Sequence, residues 1–195
     1  KEYRRQRQMC IRDRSIYVTE DMTPCGEAPR YVFPKKFRNA LVQSVAGGNT
    51  MMFNNAAKKL FERAGPTCGT SHDWWAYMLI TGAGGRVYYD HVPYLYYRQH
   101  PNALVGRNTT LGAKLERLTM VLKGSFREWN DMNIVALNNA RELISHSSSD
   151  TLDIFIRMRE AGLIERLRLF EVSGIYRQTK SGTFSLLLAA VIKKI

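Results

Sequence analysis

The pattern of apolar positions divides the chain into two parts. Over 16–108, short apolar runs alternate with segments that contain glycine and proline, which is typical of strands and short helices joined by turns. Over 109–195, apolar residues recur at helical spacing, as Leu115, Leu118 and Leu122 do. We therefore predict an α/β part followed by a helical C-terminal region.

Valine, isoleucine and aromatic residues mark the predicted strands of the first part. Residues 16–18 form one short run, and 50–53 are predicted to form a buried strand. Residues 86–89 and 94–97 are predicted to form two further strands, joined by a turn at 90–93.

Capping residues predict two helices in the first part. Asn55 is suited to cap a helix over 56–64, and Ser71 is suited to cap one over 72–80. The apolar spacing of the second part predicts helices over 111–123, 126–144, 151–161 and 163–171.

An apolar run over 183–192 precedes Lys193 and Lys194 near the C-terminus. It is too short to cross a bilayer, which needs about 20 apolar residues. We expect either a helix buried in the core or an interfacial helix with a basic end.

Composition narrows the class of protein. Of the 195 residues, 45% are apolar and 24% are charged, which excludes a wholly disordered chain, a collagen-like chain and a multi-span membrane protein. The net charge of +12 indicates an anionic partner, such as nucleic acid, a phospholipid surface or a phosphorylated small molecule. Cys10, Cys25 and Cys68 form no disulfide or zinc pattern, so we expect a reducing compartment.

The leader over 1–15 differs from the rest of the chain. Its segment RQRQMCIRDRS lacks helical or strand periodicity and looks like translated sequencing-adapter read-through, so we exclude it from fold reasoning as an artefactual or disordered leader. The alternative is a genuine basic arm that binds an anion. The leader holds six basic and two acidic residues, so +4 of the net charge lies there.

Two adjacent glycines, Gly47 and Gly48, precede the predicted strand at 50–53. Glycine lets the backbone approach a ligand phosphate or sugar closely. A tight turn before a strand explains the pair equally well.

Asp73 is predicted to lie in the first turn of the helix that Ser71 caps. The helix dipole favours the ionised carboxylate there, and a carboxylate at the rim of a cleft is a suitable general base for a hydroxyl. The alternative is an acid that only stabilises the helix start. Trp74 and Trp75 follow, and we expect one of them at a cleft or interface, because adjacent residues do not both face inward on an ordinary helix.

Alternation along a strand predicts a further polar face. Tyr94, Tyr96, Arg98 and His100 would lie on one side of the strand. Arg98 and His100 could hold a diphosphate, or His100 could ligate a divalent metal. The alternative is a solvated strand end.

Several motifs are absent from the sequence. No two aspartates are separated by a single residue, and there is no P-loop, no G-x-G-x-x-G, no H-E-x-x-H and no nucleophile elbow. If the protein binds a sugar nucleotide, the main ligand of a diphosphate-bound metal therefore lies outside this chain.

Four segments in this order resemble the C-terminal half of the family 2 glycosyltransferases, in their rhamnosyltransferase-like branch. They are AGGNTMMFN at 46–54, SHDWW at 71–75, GGRVYYD at 84–90 and YRQHPNALVG at 97–106. The resemblance covers 16–108 well and the helical region loosely. It implies a partial GT-A fold over 16–108, with a mixed sheet flanked by helices, followed by a helical region over 109–195.

The resemblance also implies an activity and roles for the site. An acceptor hydroxyl would attack the anomeric carbon of a nucleotide-sugar donor with inversion, and Asp73 would match the aspartate base. Gly47, Gly48 and Asn49 would match the segment that lines the sugar and acceptor site. His72 and Trp74 would match the surroundings of the base. Arg98 and His100 would match the segment near the diphosphate and the metal.

The chain departs from this family in one major respect. The nucleotide-binding half, with its D-x-D-type motif for Mg²⁺ or Mn²⁺, is not in the sequence, so we expect a truncated reading frame whose product is inactive alone. The acceptor would be a saccharide or a lipid-linked saccharide of cell-surface polysaccharide synthesis. We expect a cytoplasmic enzyme, at the cytoplasmic face of the inner membrane if the C-terminal segment contacts lipid.

The competing hypothesis is a binding module without catalysis. The net charge and the tyrosine-rich strands would suit nucleic acid, and the C-terminal segment would suit a membrane surface. The chain has no recognisable nucleic-acid-binding motif, so we do not expect nucleic acid as a partner.

Overall fold

The computed structural model describes residues 9–45, 47–66, 69–98 and 124–195, without the side chains of 9–13. It is an α/β structure. The strands are β1 (Met9–Val18), β2 (Pro24–Glu27), β3 (Met51–Phe53) and β4 (Arg86–Arg98). The helices are α1 (Phe37–Ala40), α2 (Asn55–Ala64), α3 (His72–Gly82), α4 (Ser125–Asn139), α5 (His146–Glu160), α6 (Leu163–Ser173) and α7 (Lys180–Val191). Short 3-10 turns lie at Gly48–Thr50 and Arg141–Leu143.

The sheet is mixed, and β1 is its central strand. On one side β1 runs parallel to β4 over its whole length, from Met9 opposite Arg86 to Val18 opposite Arg98. On the other side it pairs antiparallel with β3 near its start and with β2 near its end. The sheet is therefore three strands wide, and β2 and β3 lie at opposite ends of the same edge.

The prediction of two strands and a turn over 86–97 is wrong, because β4 is a single strand. Its pairing with β1 is irregular where the turn was expected: Arg12 faces Tyr89, whereas Arg14 faces Pro93. The Asp90 carboxylate accepts a hydrogen bond from the Val92 amide at 2.9 Å, as it would in a turn. The turn chemistry at 90–93 thus produces a bulge, because β1 holds both halves of β4 in line.

The leader also differs from expectation, because residues 9–15 form the first part of β1. Arg14 is buried, and its guanidinium donates to the Glu27 carboxylate at 2.6 Å and to the Ala28 carbonyl at 3.0 Å. Pairing with strands far away in the sequence supplies this order, and local periodicity could not reveal it.

The core is centred on α3, whose residues from Trp74 to Gly82 are all buried. Helix α1 packs against α3, and the helical region adds Leu137, Leu152 and Phe155 to the same core. Gly82 permits this packing, because a Cβ atom there would lie 2.8 Å from Cγ2 of Ile144.

The expected buried strand at 50–53 is largely exposed instead. Met52 and Phe53 retain 68% and 42% of their accessible surface. The run is apolar, but β3 is a short strand at the edge of the sheet beside β1, so it is covered on one side only.

The predicted helices are confirmed with adjusted ends. Asn54 caps α2 in place of Asn55, by accepting from the Ala57 amide. The predicted helix over 126–144 is divided into α4 and the 3-10 turn at Arg141–Leu143. The predicted helix over 111–123 lies outside the described residues.

Two buried arginines link the helices of the helical region to one another. Arg166 of α6 is 2% exposed and donates to the Ala161 carbonyl at the end of α5 and to the Ala190 and Val191 carbonyls at the end of α7. Arg159 donates to the Ile195 carbonyl at 3.0 Å, so the last residue of the chain is tied to α5. In the part of the chain that the structure describes, no helix has both the length and the apolar character needed to cross a membrane.

Candidate functional site

The start of α3 positions Asp73, as the sequence predicts. Ser71 accepts a hydrogen bond from the Trp74 amide and so caps the helix. Oδ1 of Asp73 accepts from the Trp74 amide at 2.8 Å and from the Ser71 hydroxyl. Among the described residues, Oδ2 of Asp73 has no hydrogen-bond donor, and the side chain is partly exposed. One oxygen therefore orients the carboxylate, and the other is left to accept a proton.

The loop before α3 is fixed from the side by α4. The Thr70 amide and hydroxyl both donate to Oδ1 of Asn133, at 3.1 and 3.0 Å. The Thr70 hydroxyl also lies 3.0 Å from the Trp129 carbonyl. Because α4 anchors this loop, the helical region helps to hold Asp73 in place, and no local pattern in the sequence indicates this role.

The glycine segment lies directly against the start of α3. A Cβ atom on Gly48 would be 2.1 Å from Nε2 of His72, so only glycine leaves room for the imidazole in this position. The Gly47 carbonyl accepts from the amide and the hydroxyl of Thr50, which closes a tight turn that also carries Asn49. Gly47, Gly48 and Asn49 are therefore brought together with His72 and Asp73.

The expectation that one of the two tryptophans lines a cleft is wrong. Trp74 and Trp75 are each 6% exposed. The indole of Trp74 donates to the Ala40 carbonyl at 2.6 Å, which fastens α1 to α3. Both residues are buried because α3 is covered on all sides, so the rule for a helix with one apolar face does not apply.

The polar face of β4 is confirmed as far as the structure describes it. Tyr94, Tyr96 and Arg98 are all exposed, and Arg98 points toward the Met22 sulfur at 3.6 Å. This face is remote from β3, the strand that follows the Gly47–Asn49 turn. Arg98 pairs with Val18, which is six residues along β1 from Arg12, the last residue that faces β3. Six residues of strand span about 20 Å. His100 lies outside the described residues.

The implied divalent metal finds no ligand set in this part of the protein. Among the described residues there is no group of three or more His, Cys, Asp or Glu side chains that could hold a metal ion. The described residues of the site therefore do not form a ligand set for a metal ion.

The arrangement is suited to remove a proton from a hydroxyl group. It offers an oriented carboxylate with one open oxygen and an adjacent imidazole that lies against the Gly48 turn. Comparison of the chain with protein families, with characterised proteins and with solved structures finds no match.

Proposed function

We propose that this chain is the acceptor-side part of an inverting glycosyltransferase with a GT-A fold. It would move a sugar from a nucleotide-sugar donor to a saccharide or lipid-linked acceptor. Asp73 would take the proton of the acceptor hydroxyl, and Gly47 to Asn49 with His72 would form the wall of the acceptor site. Arg98 would act with groups outside the described residues, because it pairs with the other end of β1 from β3 and the turn that precedes it.

One observation carries this proposal. The Asp73 carboxylate has one oxygen fixed by Ser71 and Trp74, while the other has no donor among the described residues, and the preceding residue, His72, lies against the Gly48 turn. An acid that only stabilised the helix start would explain the first oxygen. Helix stabilisation by Asp73 would not explain why the neighbouring His72 lies against the turn at Gly48.

The test begins with the source DNA upstream of Lys1. We expect the reading frame to continue upstream through about a hundred or more residues with a paired-aspartate motif. The extended protein should release nucleoside diphosphate from a nucleotide-sugar when Mg²⁺ or Mn²⁺ and a saccharide acceptor are present. The 195-residue chain should release none under the same conditions.

Two results would contradict the proposal. A frame that starts at or near Lys1, with no such half upstream, would remove the catalytic role and would favour the basic leader as a binding arm. An extended protein that turns over none of the common nucleotide-sugars, while it is folded by circular dichroism, would have the same effect.

A membrane surface is the second partner that we propose, on the basis of α7. Phe184, Leu188 and Val191 lie at helical spacing on its exposed face, and the exposed Lys180 and Lys193 flank this stripe. An apolar stripe with cations at its ends is suited to the interface of an anionic bilayer. This contact would fit an enzyme that acts on lipid-linked acceptors.

We expect the double variant Phe184→Ser/Leu188→Ser to bind anionic vesicles at least tenfold more weakly in flotation, because two partly inserted apolar side chains are lost. Point substitutions are preferable to deletion, since Leu186, Ala190 and Ile195 are buried in the core. The control Met132→Ser/Val135→Ser removes two exposed apolar side chains from α4 and should bind as the parent does. Equal losses in both variants would contradict the proposal.

A further inference from the structure

A basic cavity lies at the opposite end of α3 from Asp73. It has a volume of about 480 Å³, which is within the range of small-molecule sites. Lys35, Lys36, Arg38 and Arg86 contribute to its wall, and no aspartate or glutamate does. Thr81 at the end of α3 lies eight residues, or about 12 Å along the helix, from Asp73.

Three of these cations have no carboxylate partner in the part of the chain that the structure describes. Among the described residues, no carboxylate lies within salt-bridge distance of Lys36, Arg38 or Arg86. Lys35 is already engaged, because it donates to the Tyr31 carbonyl at 2.6 Å and lies 4.9 Å from the ring centre of Tyr89. Like charges at the rim of one cavity repel each other, so they indicate a place where a counter-charge is bound.

The fold anchors the backbone that carries Lys36 and Arg38 at the rim. The residue between them, Phe37, is 6% exposed and packs against Gly82, where a Cβ atom would lie 3.1 Å from the phenyl ring. Since Phe37 is anchored in the core, its two neighbours are directed outward. The Arg38 side chain also packs over Gly174, where a Cβ atom would lie 2.7 Å from Nη1 of Arg38.

The hydroxyl groups and helix ends around the cavity also favour an anion. Ser147 and Ser148 belong to the first turn of α5, whose dipole is positive at this end. The C-terminal carbonyls of α3 would oppose an anion, but several are already hydrogen-bonded. Ile80 accepts from Gly85, Thr81 accepts from Gly84, and Gly82 accepts from Ser145.

A second cavity, of about 640 Å³, shares Lys36, Arg38 and Ser147 with the first. Tyr176 lines this second cavity, and its hydroxyl donates to the Pro34 carbonyl at 2.6 Å. Burial raises the pKa of Tyr176, and the positive charge of Arg38 opposes this rise. The phenol therefore remains neutral near neutral pH and adds no negative charge beside Arg38. Because Lys36, Arg38 and Ser147 line both cavities, a ligand bound to them could occupy both.

The geometry points to a binding site for a phosphate or diphosphate group at the cavity rim, held by Lys36, Arg38 and Arg86. The guanidinium groups supply paired donors for phosphate oxygens, and Lys36 supplies a mobile point charge. The group could belong to a free phosphorylated compound or to a lipid headgroup, since both present the same oxygens. This site does not depend on the proposed sugar transfer, because it shares no residue with the Asp73 site.

The test is calorimetric titration of the 195-residue chain with pyrophosphate at fixed ionic strength and without added metal. We expect saturable binding at one site. The double variant Lys36→Gln/Arg38→Gln should bind at least tenfold more weakly. The control Lys59→Gln/Arg63→Gln removes one exposed Lys and one exposed Arg from α2 and should change the affinity less than twofold.

A chain that does not bind pyrophosphate saturably, or a control variant that weakens binding as much as the rim variant, would overturn the site. Thermal unfolding of both variants establishes that each is folded before it is titrated. Vesicles of phosphatidylcholine with and without phosphatidic acid then identify the source of the group. If pyrophosphate displaces the parent chain from the phosphatidic acid vesicles, a lipid headgroup is the source of the bound phosphate. If the Lys36→Gln/Arg38→Gln variant binds those vesicles as the parent does, the source is a free phosphorylated compound.

Discussion

Replacement of Asp73 by Asn is expected to lower kcat for sugar transfer by about 10²–10⁴-fold, which is the usual contribution of a general base. The prediction applies to the protein from the extended reading frame, and it follows from the proposed role of this carboxylate. The amide keeps an oxygen that can accept from the Trp74 amide, so the start of α3 is preserved. What is lost is the negative charge that takes up the acceptor proton, whereas KM for the donor should change little.

The measurement is release of nucleoside diphosphate at saturating donor and acceptor. Asp90→Asn is the matched control, because Asp90 is also partly exposed and its Oδ1 also accepts a backbone amide hydrogen bond, from Val92. It should retain most of the activity. If Asp73→Asn kept more than a tenth of the parent kcat, Asp73 would be a capping residue only.

Arg166→Met is expected to lower the free energy of unfolding by about 3–5 kcal/mol. The side chain is buried, and its guanidinium satisfies the Ala161 carbonyl at the end of α5 and the Ala190 and Val191 carbonyls at the end of α7. Methionine fills much of the same volume but donates no hydrogen bond. The Ala190 carbonyl keeps the Lys193 amide as a donor, whereas each carbonyl left without a donor costs about 1–3 kcal/mol. The favourable contact of a cation with two helix C-termini is lost as well.

Urea unfolding followed by circular dichroism measures this loss. Arg168→Met is the control, since Arg168 lies on the same helix, is exposed and pairs only with Glu165 at 3.5 Å. A surface pair of this kind contributes about 0–1 kcal/mol, so the control should unfold close to the parent. If Arg166→Met and Arg168→Met unfolded at a similar urea concentration, water would be replacing the hydrogen bonds that Arg166 donates to the carbonyls, and the prediction would be wrong.

Local chemistry predicted much of the secondary structure. The cap at Ser71 and the apolar spacing of α5 and α6 depend on neighbours within a few residues, and these helices are confirmed. The first part of β1 and the unbroken β4 depend on pairing between residues 77 to 80 apart in the sequence. No local pattern carries that information, so the sequence indicated a leader and a turn at those positions.

The candidate site was predictable only where its parts are close in sequence. Ser71, His72 and Asp73 are neighbours, and the helix start places them together whatever the rest of the fold does. Two other features depend on strand pairing. The turn at Gly48 contacts His72 and leads into β3, which joins the start of β1, whereas Arg98 joins the end of β1. The cavity rim combines α1, the start of β4 and the start of α5, so the basic run at Lys35 to Arg38 gave no sign of its partners.

The bulge in β4 has a consequence for self-association. Among the described residues only β1 pairs with β4, so the other edge of this 13-residue strand presents backbone donors and acceptors that another chain could join. Pro93 supplies no amide hydrogen, and the irregular backbone from Asp90 to Pro93 bends the strand at the same point. The open edge is thereby divided into two short stretches, 86–89 and 94–98. Each is too short to guide the growth of a long intermolecular strand, so the bulge limits sheet-to-sheet aggregation.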